Sequence, residues 1–295
     1  MKFNTEKYPM GSFKGQKSPG RYIDGTYYQN LDVLARKIAD DMTFLIVFFS
    51  STLEVGTGKS TFAQHTAEAI TEMVNKHHGH TMDKPLELTA RNIVFRPKDL
   101  IKRSFELPKY STIILDEWED AHYWSELGMT LREFFRKCRQ LNLFIIIIIP
   151  NYFQLTPSYA LNRSVFAVDV KFAGDFERGF FDFYNFRGKK ELYLKGKRTQ
   201  NYGVQRPNFS GRFVMGYSVG EKQYRDAKYR DMKRSEEEGA KPKISPRVIS
   251  MELCRKMRKN MPHMTQQELA QAFSVSDRTI RTWLSEDKGV NKGAG

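Results

Sequence analysis

The segment that most constrains this chain is a six-residue apolar run, Phe44-Leu-Ile-Val-Phe-Phe49, followed closely by a glycine-containing loop and a helix-forming stretch. A run with no polar alternation reads as a strand covered on both faces, and such strands belong to the interior of a parallel sheet. The loop includes Leu53-Glu-Val-Gly-Thr-Gly-Lys-Ser-Thr61. Residues 59–77 then continue as a helix with Phe62, Thr66, Ala69, Ile70 and Val74 on one stripe.

Strand, loop and helix in that order make an anion site. Glycines at 56 and 58 let successive backbone N–H groups turn toward one point, and the helix directs its positive end to the same place. Gly56, Thr57, Gly58, Lys59, Ser60 and Thr61 are therefore expected to bind ATP, with Lys59 on the β- and γ-phosphates and Ser60 a ligand of Mg2+. Leu53 stands where the G-x-x-x-x-G-K-[ST] pattern has its first glycine, and a left-handed backbone is costly for leucine. An ordinary glycine-rich turn is the plain alternative.

A second strand, Thr112-Ile-Ile-Leu, ends in Asp116-Glu117. Asp116 is expected to hold Mg2+, and Glu117 to act as general base on the attacking water. Two acids opening the next helix would also be unremarkable, because negative charge is favourable there. Residues 143–149 form the most strand-like segment and close on Pro150-Asn151. Asn151 either orients water or the γ-phosphate, or is simply a turn residue. Arg136 and Arg139, on the helix at 129–140, are candidates for an arginine inserted into a neighbouring subunit's site. A solvated basic face is the other reading.

Further strands at 93–95, 165–172, 179–186 and 191–194, with helices at 97–105 and 221–238, complete an α/β architecture: a mainly parallel sheet flanked by helices. Residues 1–29 read as an irregular arm. A helix capped by Asn30 or Asp32 is expected to run to about residue 40, with Leu31, Val33, Leu34 and Ile38 inward. The main domain spans 30–235, a linker containing Lys241-Pro-Lys-Ile-Ser-Pro246 spans 236–247, and a small all-α unit spans 248–288. Tyr22, Tyr27 and Tyr28 would stack on adenine or, more plainly, pack the arm. His77-His-Gly-His80 lacks partner ligands at metal spacing and reads as a polar loop.

Charge divides the chain. Residues 1–187 carry 24 Lys/Arg and 22 Asp/Glu, whereas residues 188–295 carry 24 and 12. A neutral front and a basic rear point to a polyanionic partner, with simple solubility as the alternative. No apolar run approaches the roughly 18 residues a membrane span requires. With no apolar leader and only Cys138 and Cys254, the cytoplasm, or a host's cytoplasm, is the expected compartment.

The basic rear contains Gln266-Gln-Glu-Leu-Ala-Gln-Ala-Phe-Ser-Val-Ser-Asp-Arg-Thr-Ile-Arg-Thr-Trp283-Leu. Leu269, Phe273, Val275, Ile280 and Trp283 are spaced to fill the angle between two short helices, Thr265 is placed to cap the first, and Ser274 occupies a turn slot that suits glycine. A preceding helix at 247–259 would pack through Val248, Met251, Leu253 and Met257. The pattern resembles helix-turn-helix domains. That resemblance implies that residues 277–284 enter the major groove of double-stranded DNA, with Arg278, Thr279, Arg281 and Thr282 as contacts. A helical protein-interaction module is the alternative.

Asp116-Glu117, the stretch Phe134-Phe-Arg-Lys-Cys-Arg139-Gln-Leu-Asn142 and the isoleucine strand closing on Pro-Asn together resemble the FtsK–HerA superfamily of DNA-pumping ATPases, particularly its virus- and plasmid-borne, zonular-occludens-toxin-like members. Tyr22-Ile-Asp-Gly25, Asn30-Leu-Asp32, Arg178-Gly-Phe-Phe-Asp-Phe-Tyr184 and Phe209-Ser-Gly-Arg-Phe213 extend the resemblance over about residues 20–235. The family usually has Gln at Asn151 and Gly at Leu53, and its recurring arginine falls on Arg139 rather than Arg136. The resemblance implies a homo-oligomeric ring, a hexamer among the options, with ATP cleaved between subunits. The expected function is an ATP-driven DNA motor serving packaging, transfer or replication. The alternatives are an ATP-switched DNA-binding regulator, or replication or partition factor, without motor activity, and a structural DNA-binding protein with a degenerate nucleotide site.

Overall fold

The computed structural model describes residues 23–53, 56–116, 126–173, 176–214, 216–240 and 246–285, which fall into two compact units, residues 1–231 and 232–295. The first unit is built on a seven-stranded sheet in the order β2-β3-β4-β1-β5-β6-β7. Its strands are β1 (Phe44–Phe49), β2 (Ile93–Val94), β3 (Thr112–Leu115), β4 (Phe144–Ile148), β5 (Ser164–Ala173), β6 (Glu177–Tyr184) and β7 (Phe209–Arg212). The first five are mutually parallel; β6 and β7 are antiparallel additions at one edge.

β1 lies between β4 and β5, and every residue in it is buried. Its two faces serve two cores. Ile46 and Phe48 pack with Ile146, Ile148, Phe166 and Val168 beneath α1 (Gly25–Lys37) and α2 (Lys59–His78). Leu45, Val47 and Phe49 pack with Ile145 and Ile147 beneath α3 (Pro97–Glu106), α4 (Glu126–Lys137) and α5 (Phe186–Gly196). The sheet is therefore sandwiched between helical layers.

Several local expectations are corrected. Helix α1 starts at Gly25, because the Asp24 carboxylate caps it by accepting from the N–H groups of Thr26 (2.9 Å) and Tyr27 (3.0 Å). Residues 25–29 are therefore helical rather than part of an arm, and residues 1–22 of that expectation lie outside the described residues. Tyr27 is fully buried among Phe62, Phe166, Phe181 and Phe183, while Val33 faces solvent. Residues 191–194 form part of α5 rather than a strand. Asn185 caps that helix at Gly188 N–H, and Leu192 and Tyr193 turn inward, with Tyr193 Oη donating to the Leu155 carbonyl at 2.6 Å. The third strand after residue 160 is instead β7, a short Phe-Ser-Gly-Arg segment too polar to announce itself by pattern.

Helix α6 (Glu221–Ala240) contains the boundary between the units. The second unit comprises α7 (Pro246–Asn260), α8 (Gln266–Ala272) and α9 (Asp277–Ser285). Cys254, Leu269, Ala270, Ile280 and Trp283 form its buried core, with Met251, Met257, Phe273 and Val275 packed around them. The inward stripe of α7 thus runs 251, 254, 257. Leu253, read as inward, is 51% exposed because a one-residue step rotates it off that stripe. Thr265 and Glu268 form a reciprocal capping box on α8, and Ser274 adopts φ +53° in the turn between α8 and α9.

Five buried side chains are a small core, so losing the largest should be decisive. Trp283→Ala is expected to cost about 3–5 kcal/mol, comparable to the whole stability of so small a unit. Calorimetry should show the second unit's transition lost and the first unit's retained. A single unshifted profile would contradict this packing.

Candidate functional site

Parallel strands end on one edge, and four of them deliver the candidate residues there. The loop leaves β1, Asp116 follows β3, Asn151 follows β4, and β5 turns back into β6 beside β1. Because β4 lies between β1 and β3, the loop strand and the carboxylate strand are two spacings apart, about 10 Å. That gap is bridged from the helix side. The Ser60 hydroxyl, in the first turn of α2, donates to Asp116 Oδ1 at 3.0 Å, across 56 residues of sequence.

In the described part of the loop two glycines are left-handed. Gly56 and Gly58 adopt φ +86° and +99°, closed to L side chains without strain, and turn the backbone into α2. Helix α2 has no side-chain cap at Gly58 and no acidic residue in its first turn, whereas α1 and α8 are capped by side chains. Its first N–H groups and the positive end of its dipole face the loop. Lys59 Nζ lies 3.5 Å from Thr57 Oγ1, folded back over the loop. Leu53 takes φ +57° and is 55% exposed, so the backbone here keeps the glycine-like conformation with leucine in place. Such a residue stores about 1–2 kcal/mol of strain.

Asp116 is 1% exposed, and its second carboxylate oxygen accepts a hydrogen bond from the Tyr224 hydroxyl of α6. Burial, followed by the Asp116 charge, raises the Tyr224 phenol well above its ordinary value, so it stays a proton donor. Tyr224 is stacked on Tyr217 at 4.8 Å. Nothing in the charged stretch around Tyr224 marks it as a site residue; its role follows from where α6 crosses the sheet edge. Asp169 of β5 was also illegible. It is buried and accepts from Ser51 N–H at 2.7 Å, anchoring the backbone where it leaves β1.

The remaining expected residues are placed as follows. Glu117 lies outside the described residues. Thr61 is buried in the first turn of α2. Asn151 stands at the carboxyl end of β4; its Oδ1 accepts from Phe153 N–H (2.9 Å) and Tyr202 Oη (2.7 Å), and its Nδ2 donates to Gln200 (3.0 Å). Arg139 is not brought to the loop. It precedes β4, at the opposite edge of the sheet, about 15–20 Å away by strand length. There its 71%-exposed side chain pairs with Asp41. The histidines at the end of α2 bind α1: His77 Nε2 meets Asp32 at 2.7 Å and His78 Nε2 the Ala35 carbonyl at 2.9 Å. No His/Cys/Asp/Glu metal cluster exists among the described residues. In the second unit, Thr279 Oγ1 is engaged by Ser276 and Thr282 Oγ1 donates to the Arg278 carbonyl. Arg278 and Arg281 project into solvent.

No family model, curated protein or solved structure matches the chain.

Asp169 makes the site's anchor sensitive to pH. Burial, opposed by Ser51 and reinforced by Asp182 on β6, raises its carboxyl to about 6. The folded chain therefore holds a proton that the unfolded chain releases near 4. This group's stabilisation is complete below about pH 4 and is lost as pH rises through about 6. Asp169→Asn keeps an acceptor for Ser51 and cannot ionise. Its melting temperature relative to wild type should therefore rise between pH 4.5 and 7, and a pH-independent difference would refute the assignment.

Proposed function

We propose that this chain is a P-loop ATPase that acts on double-stranded DNA through its basic second unit. The observation that carries the reading is the Ser60–Asp116 hydrogen bond, which joins a left-handed glycine loop and an uncapped helix N-terminus to a buried carboxylate. A serine hydroxyl and a carboxylate are hard oxygen donors of the kind Mg2+ selects, so the residues fit the ion. When bound, Mg2+ would neutralise charge on the β- and γ-phosphate oxygens.

The chain's own groups supply the rest. Backbone N–H groups of residues 56–61 and the Lys59 ammonium would hold the polyphosphate. Glu117, one residue beyond Asp116, would take the proton as water oxygen bonds to the γ-phosphorus and the bond to the bridging oxygen breaks, giving ADP and phosphate. Asn151, between the two motif strands, would orient water or the γ-phosphate once its present partners release an N–H or lone pair. Arg139 stands at the far edge, so it would serve a neighbouring subunit's site in a homo-oligomeric ring, as the resemblance to FtsK–HerA ATPases implies. In the second unit, Arg278 and Arg281 would contact DNA, with Thr279 and Thr282 presenting their methyl groups while their hydroxyls remain within α9.

A second reading is an ATP-switched DNA-binding regulator without motor activity. The Tyr224–Asp116 contact favours it, because α6 touches the proposed metal ligand directly. Duplex DNA separates the two. A motor hydrolyses ATP faster with DNA present, whereas a regulator changes its DNA affinity with nucleotide but shows no turnover.

Lys59→Ala should abolish MgATP binding, measured by calorimetry. Glu117→Gln should retain binding and lose about 10²- to 10⁴-fold in turnover; unchanged turnover would remove Glu117 from the mechanism.

The DNA assignment predicts that full-length chain binds duplex DNA with affinity falling steeply as salt rises. Arg278→Ala combined with Arg281→Ala should weaken that binding and flatten its salt slope, while basal ATPase stays unchanged. Wild-type DNA affinity in the double variant would turn the second unit into a protein-interaction module.

A further inference from the structure

A cation from outside the two nucleotide motifs lies against the phosphate loop. β5 runs parallel to β1 and ends at Ala173 on the loop's edge of the sheet; β6 begins there with Glu177 and Arg178 and runs back antiparallel. On its other side β6 is held to the β7 segment by the Phe213 N–H bond to the Gly179 carbonyl (2.8 Å) and by Arg212 pairing with Glu177 (2.7 Å). The approach to the loop is close: a Cβ built on Gly56 would stand 3.3 Å from Arg178 Nη2. Glu177 is engaged by Arg212, and Arg178 has no carboxylate or carbonyl partner among the described residues.

Such placement sets like charges side by side. The guanidinium stands beside Gly56, which precedes Lys59 by three residues, near the positive end of α2, where the first helical turn contains no acid. Cationic groups converging on one glycine loop repel one another, and an anion seated between them removes the repulsion. A guanidinium also offers a planar fork of donors that matches phosphate oxygens.

We infer that Arg178 binds the polyphosphate of the nucleotide held by its own chain, completing the loop from the β5–β6 hairpin. The inference rests on the ATP-binding reading of the loop and adds a residue to it. It also separates two arginines by role: Arg178 serves the site of its own subunit, and Arg139, on the opposite edge, does not.

The test is equilibrium binding of MgATP to full-length chain, by calorimetry, for wild type, Arg178→Ala, Arg178→Lys and Lys59→Ala, with melting temperatures recorded in parallel. Arg178→Ala should bind roughly ten- to hundredfold more weakly, the worth of a charge-assisted hydrogen bond, with an unchanged melting temperature because the side chain is exposed. Arg178→Lys, which keeps the charge but not the fork, should fall between. Wild-type affinity in Arg178→Ala, beside a non-binding Lys59→Ala, overturns the role of Arg178 and leaves the loop intact. Affinity lost in proportion to a lowered melting temperature, with no recovery in Arg178→Lys, overturns it as well. A wild-type chain that binds MgATP no better than Lys59→Ala overturns both the inference and the reading beneath it.

Discussion

The structure depends on burying β1 from both sides. Six consecutive apolar side chains, alternating between two cores, have no stable place except the interior of a sheet with helices on each face. Once β1 is paired in parallel with β4 on one side and β5 on the other, its end is surrounded by the ends of its neighbours. The loop after Phe49 therefore opens on the same edge as Asp116, Asn151 and the start of β6 without any of them being near it in sequence. The chemistry of the edge is a consequence of strand direction.

At that edge the charges are arranged in opposition. The loop and the start of α2 present N–H groups, Lys59 and the nearby Arg178, while Asp116 sits buried beside them, held by Ser60 and Tyr224. Donors and cations on one side and a buried carboxylate on the other are the arrangement on which the MgATP proposal rests. The strained Leu53 and the buried Asp169 belong to the same economy: each holds the backbone leaving β1 in a shape that costs stability and serves the loop.

The second unit follows a different logic. Its core is small, its helices are short, and much of its specificity of fold comes from local devices: the Thr265–Glu268 capping box and the left-handed Ser274 that turns α8 into α9. With the interior filled by Cys254, Leu269, Ile280 and Trp283, Arg278 and Arg281 of α9 are left on the outside. This is the face proposed for DNA.

What the sequence determined by itself was the set of local pieces. β1 and β3 were legible to the residue, because uniform apolar runs admit few conformations, and so were the glycine loop and the start of α2, because backbone geometry there is dictated by residue type. The stripe of α2 and the core of the second unit were legible from 3.6-residue periodicity. Tertiary structure decided what periodicity does not encode. Helix α1 began at an Asp cap outside its apolar stripe, α5 replaced an expected strand, and β7 formed from a polar segment because β6 offered it a free edge. The site divides the same way: Lys59, Ser60 and Asp116 could be named from motif, but Tyr224 and Asp169 could not, Arg178 carried a resemblance without a role, and Arg139 came to lie on the opposite edge. A motif is written within one segment, where neighbours in sequence are neighbours in space. Contacts that span 56, 108 or 118 residues are chosen only when parallel strands and crossing helices bring distant segments to the same edge.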